Sequence, residues 1–127
     1  MASLIDTNII IRFLVGDNEE HLKISQKIFS DIEKGKLQVI ILDSVLMEAY
    51  FVLTKVYKLP KKDILNDLKT ILVLDGVVNS DKVILNEVLN LVENKNIDFV
   101  DALLYAKSKL QGFEKISFDK DVNKKCE

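Results

Sequence analysis

The stretch Ala2-Ser3-Leu4-Ile5-Asp6-Thr7-Asn8-Ile9-Ile10-Ile11-Arg12 decides the fold, because an apolar run stops on Asp6-Thr7-Asn8 and resumes at once as three isoleucines. It reads as a core strand over residues 2–6 running into a helix over residues 7–15. In an open α/β sheet, ligands bind outside the carboxyl ends of the strands, and Asp6 stands at such an end. The plainer alternative is that Asp6 or Thr7 merely caps the helix, since Asp and Thr are both good N-cap residues.

Working outward, residues 18–34 place Leu22, Ile24, Ile28, Phe29 and Ile32 at helical spacing, and residues 37–42 form an apolar, β-branched run suited to a buried parallel strand. Asp43-Ser44 should cap the next helix, residues 45–57, in which Glu48 is surrounded in sequence by Val45, Leu46, Met47, Ala49, Tyr50, Phe51, Val52 and Leu53. A helix apolar all round is expected to be buried, and a buried carboxylate is costly unless it is paired or binds a metal. Its alternative is an acid near the helix start that favours the dipole and points to water.

Residues 60–72 and 80–94 read as amphipathic helices with solvated charged faces, separated by a short strand at Val77-Val78. A further helix opens at Asn96-Ile97-Asp98-Phe99-Val100-Asp101 and runs to about Gln111. There Asp98 suits the N-cap and Asp101 the third helical position of a capping-box-like start. Asp101 also precedes an apolar run, the way an α/β protein presents a ligand at a helix N-terminus. Residues 114–117 read as a strand, followed by Phe118-Asp119-Lys120-Asp121, which repeats the arrangement at Asp6. Gly16, Gly35 and Gly112 each follow a helical pattern, as glycines at C′ do.

In right-handed β-α-β connections the strand C-termini and helix N-termini share one edge of the sheet. Asp6, Glu48, Asp101 and Asp119 are therefore expected on one edge. Carboxylates gathered closely repel, and they either raise one another's pKa or hold a divalent cation. Oxygen ligands without His or Cys favour Mg²⁺ or Mn²⁺ over Zn²⁺. His21, the only histidine, has no second His or Cys for a zinc site and reads as a partly exposed helix residue.

Composition bounds the class. With 127 residues, 48% hydrophobic and 30% charged, the chain suits one soluble globular domain over residues 1–127. Charges break every long apolar segment, so no membrane span is expected. The lone Cys126 cannot form an internal disulfide, which agrees with a cytoplasmic location. A net charge of −2 argues against a generic nucleic-acid coat protein. Lys55, Lys58, Lys61 and Lys62 form a local basic cluster, most simply a solvated helix end.

The motifs LIDTNIIIRFL, SVLMEAYFVL, IDFVDALLYA and SFDKD, in that order, resemble those of the PIN-domain ribonucleases, and among them the VapC-type toxins of prokaryotic toxin–antitoxin pairs. The resemblance covers nearly the whole chain. It implies a central parallel sheet flanked by helices, in agreement with the α/β pattern read from the residues. By the same resemblance Asp6, Glu48, Asp101 and Asp119 are the family's four acids, catalytic and metal-binding, and Asn8 and Ser117 its orienting polar residues. Asp98 and Asp121 match auxiliary acids. The implied activity is hydrolysis of RNA phosphodiester bonds with Mg²⁺ or Mn²⁺, by an endoribonuclease that pairs with a small antitoxin and forms a homodimer. A catalytically silent PIN-like module that only binds protein is the alternative. A haloacid-dehalogenase-like phosphatase would need a second Asp two positions after the first, where this chain has Asn8.

Overall fold

Ile5 and the isoleucines of the opening helix are drawn inward, and that burial sets the start of the fold: Ile10 and Ile11 are buried on one side of α1, Thr7–Val15, which follows strand β1, Ser3–Leu4. The computed structural model describes residues 1–116, which fall into two units, Met1–Asn79 and a second beginning at Ser80.

In the first unit α1 is followed by α2, Glu19–Glu33, strand β2, Val39–Ile40, α3, Asp43–Phe51, and α4, Lys61–Leu72. β1 and β2 pair in parallel, Ser3 opposite Val39 and Leu4 opposite Ile40. Val77 bridges Val39 in parallel on the other side, so β2 lies between β1 and the Val77 segment. The strand-like pairing continues through a side chain: Ile41 N–H donates to Asn79 Oδ1 at 2.9 Å, and Asn79 Nδ2 donates to the Ile41 carbonyl at 2.7 Å. The sequence pattern predicts the longer strands 2–6 and 37–42, but only these short central parts are paired in a ladder. α1 and α2 pack together, with the Phe13 and Phe29 rings stacked at 4.3 Å.

Gly76 permits a close backbone approach in this unit. Its N–H donates to the Ile32 carbonyl at 2.8 Å and its carbonyl accepts from Val39 N–H at 2.7 Å. A Cβ there would meet the Leu37 and Ile32 carbonyl oxygens, the latter at 2.5 Å. Gly16, Gly35 and Gly112 do follow helices, with φ of 68°, 73° and 75°, the left-handed conformation that glycine adopts without penalty.

Two expectations about the α3 region are corrected. The helix starts at Asp43 with Leu42 as N-cap, so Asp43 favours the dipole from inside the first turn. It is also not one α-helix to Tyr57: Val52–Val56 forms a π-helical turn, with Tyr57 N–H donating to the Val52 carbonyl five residues back at 3.1 Å. Thr54 Oγ1 donates to the Tyr50 carbonyl at 2.7 Å, and that carbonyl is the one an α-helix would offer to the Thr54 N–H.

The second unit contains α5, Lys82–Lys95, and α6, Phe99–Gln111, which pack on each other. Asn96 closes α5 in the left-handed conformation with φ 52°. Val88, Leu89 and Val92 of α5 and Phe99, Ala102 and Ala106 of α6 are buried. The strand expected over residues 114–117 is not formed over Glu114, Lys115 and Ile116, where the chain is irregular and Ile116 is exposed. Among the described residues, these three pair with no segment in a ladder. No helix among the described residues is long and apolar enough to cross a membrane.

Candidate active site

Asp6 occupies the N-cap of α1 with extended backbone, φ −85° and ψ 149°, yet its side chain makes no capping hydrogen bond. Asn18 caps α2 in the ordinary way, its Oδ1 accepting from His21 N–H at 2.9 Å. At Asp6 the cap position is filled, but the exposed carboxylate makes no capping hydrogen bond.

Thr7, the next residue, is only 5% exposed although polar. Its Oγ1 donates to Glu48 Oε2 at 3.2 Å, across the α1–α3 packing. The second expected acid is therefore held by the residue that follows the first. Attention to acids alone leaves Thr7 out, except as a cap. The available signal is a hydroxyl between two apolar runs, a place where a buried polar group must find a partner.

The expectation that Glu48 is buried is incorrect. Leu46, Ala49, Tyr50 and Leu53 are the buried residues of this stretch, an i, i+3, i+4, i+7 stripe, and Glu48 falls outside it and is exposed. Desolvation therefore gives no reason for its presence. The hydrogen bond from Thr7 does, since it fixes one carboxylate oxygen.

The remaining residues divide by position. Asn8, in the first turn of α1, is exposed. In the second unit, Asp98 is the N-cap of α6 with no side-chain capping bond, and Asp101 is a half-buried acid of its first turn. Ser117, Asp119 and Asp121 lie outside the described residues. His21 is exposed on α2, as expected. Among the described residues no group of three or more His, Cys, Asp or Glu side chains is gathered to hold a metal ion. A hard cation does not need such a group, because Mg²⁺ is commonly bound by one or two carboxylates together with water and substrate phosphate rather than by an all-protein cage.

A family profile of the PIN domain matches residues 3–127. The chain belongs to the PIN-domain family. It is similar to the VapC ribonuclease of Aquifex aeolicus (strain VF5), with 28% identity over 123 residues, 95% of this chain and 90% of that protein. No solved structure matches it. Within the PIN domain, the Asp6-Thr7 junction and Glu48 belong to the first unit and the Asp98–Asp101 helix start to the second.

Proposed function

We propose that this PIN domain is a divalent-metal-dependent endoribonuclease that hydrolyses RNA phosphodiester bonds, with Asp6, Glu48, Asp101 and Asp119 as its acids. Asn8 and Ser117 orient them, and Asp98 and Asp121 are auxiliary. The observation that carries this reading is the Thr7 bond to Glu48, which ties a second carboxylate to the residue next to Asp6 in a chain of this family. The similarity to a protein named a ribonuclease supports RNA as substrate.

Asp6 and Glu48 would hold Mg²⁺ or Mn²⁺ through carboxylate oxygens. When bound, such an ion supplies activation of a hydrolytic water and neutralises charge developing on the phosphate. The protein's own contribution is positional. The strand-to-helix junction sets the Asp6 backbone, and Thr7 restricts Glu48 to rotamers that keep one oxygen on its hydroxyl. Geometry held in advance lowers the reorganisation required during reaction.

The reading extends to one nuclease domain over residues 1–127 on a central parallel sheet, in the cytoplasm, with a second copy and a small cognate antitoxin as partners. The test is incubation of the purified chain with single-stranded RNA in Mn²⁺ or Mg²⁺ and in EDTA. Cleavage is expected with metal only and is expected to fall by orders of magnitude in Asp6→Asn. Cleavage that persists in the Asp6→Asn, Glu48→Gln double variant would reject this site. Expression alone should slow growth, and co-expression of the antitoxin should relieve it.

A further inference from the structure

The geometry points to a nucleotide subsite in the groove between α1 and α2. There a base of the RNA lies against Ile9 and Ile24, and the phosphate beside it is held by Arg12 and His21. This inference rests on the ribonuclease reading. The groove has a volume of about 250 Å³, with Asn8, Ile9 and Arg12 on one wall and His21, Ile24 and Ser25 on the other. Each set follows helical spacing, so one face of each helix forms one wall.

The groove begins two residues after Asp6. At 1.5 Å rise per residue, Arg12 lies about 9 Å further along the helix from Asp6, so RNA held at the acids has a neighbouring nucleotide over the groove. Ile24 is 50% exposed, an apolar surface with no covering among the described residues. Flat apolar contact suits the face of a base.

Arg12 is already held in place. Its Nη1 donates to Asp17 Oδ1 at 3.1 Å, and the Tyr57 hydroxyl donates to the other Asp17 oxygen at 3.5 Å. Asp17 thus steadies the guanidinium while the fork retains further N–H donors, the arrangement suited to bidentate phosphate contact. The π-helical turn contributes here, because Tyr57 follows it directly. The two cationic or donor groups, Arg12 and His21, favour a phosphate-bearing ligand over an apolar peptide.

The test uses the full chain carrying Asp6→Asn with Mn²⁺ and a short fluorescent single-stranded RNA, read by anisotropy across a salt series. Arg12→Gln and His21→Gln are each expected to weaken Kd about tenfold, a loss typical of a charge-assisted hydrogen bond. Removing the Arg12 charge from the phosphate should lower the slope of log Kd against log salt by about 0.7. Arg12→Lys should retain part of the affinity. Asp17→Asn keeps the guanidinium but releases it from its pair, so it should lose less affinity than Arg12→Gln. Weakening like that of Arg12→Gln would mean that Arg12 acts through the Asp17 pair in folding, and would overturn the proposal. With Asp6 restored, the Arg12 and His21 variants should raise KM and leave kcat within about twofold. If Asp6-intact protein cleaves no RNA, the ribonuclease reading fails and the subsite with it. If it cleaves RNA but KM and the salt slope do not change in the variants, the subsite alone fails. Loss of binding to a protein partner in the same variants would then assign the groove to that partner.

Discussion

Thr7 Oγ1 and Glu48 Oε2 are 3.2 Å apart although 41 residues separate them in sequence. Tyr57 and Asp17, joined by a hydroxyl-to-carboxylate contact at 3.5 Å, repeat the link further on. From Thr7 to Asp17 and from Glu48 to Tyr57 the chain advances by nearly the same number of residues. α1 and the α3 stretch therefore run side by side in the same direction, with a polar tie at each end. The first tie serves the acids, and the second steadies Arg12.

Thr7→Val keeps the shape and removes the donor. It should lower kcat about 10- to 100-fold, the scale expected when a reacting group shifts by about 1 Å. In Glu48→Gln the same substitution should add much less, because the group that Thr7 positions is no longer a carboxylate. A double-mutant cycle on ribonuclease activity measures this coupling. Additive losses would show that Thr7 acts elsewhere.

Gly76→Ala should destabilise the protein by at least about 3 kcal/mol, at the upper end of overpacking effects, because backbone oxygens rather than flexible side chains meet the new methyl. Gly35 is the control. Its φ is 73° and nothing lies within 4 Å of an added Cβ, so Gly35→Asn, a residue that tolerates this conformation, should cost little. Urea unfolding of the two variants at one pH compares them directly.

Asp67 carries a pKa raised above the ordinary 3.8, first by burial and then by the Asp63 carboxylate one turn earlier on α4. The folded state therefore holds this proton more tightly than the unfolded chain does. The sign follows: the group's contribution to stability falls as pH rises through the range above 3.8. Asp67→Asn should be more stable than the parent near neutral pH, by ~0.2–0.5 kcal/mol for relief of a like-charge pair at i, i+4. The difference should shrink toward pH 3. Thermal unfolding at several pH values tests the slope, and a difference that grows on acidification would contradict it.

Local signals in the sequence carry much of this architecture. Thr7–Val15 is helical where the apolar spacing predicts it, and the three glycines after helices have the backbone that their position requires. The PIN-domain match extends over nearly the full chain, as the motifs do. Glu48 reads as buried from sequence because its immediate neighbours are all apolar, which hides the buried stripe at 46, 49, 50 and 53. The π-helical turn is not legible, since the apolar pattern of Val52–Val56 reads as a continuation of the α-helix before it. Whether Asp6 caps or stays open is also out of reach, because both uses require the same residue at the same place.

The same ambiguity persists at Asp101, a half-buried acid in the first turn of α6, and stability measured with and without metal resolves it. An acid that only supports the helix dipole contributes ~0.3–1 kcal/mol whether or not a cation is present. An acid in a set of converging carboxylates repels its neighbours in metal-free protein, so Asp101→Asn should leave stability in EDTA unchanged or raised. The same variant should lose most of the stabilisation that millimolar Mn²⁺ gives the parent, since an ion bound only by the folded state contributes RT ln(1 + [L]/Kd). We expect the second pattern from thermal unfolding of both proteins at matched pH. Equal destabilisation in both buffers, with the Mn²⁺ shift retained, would leave Asp101 as a helix-supporting residue and remove it from the proposed acids.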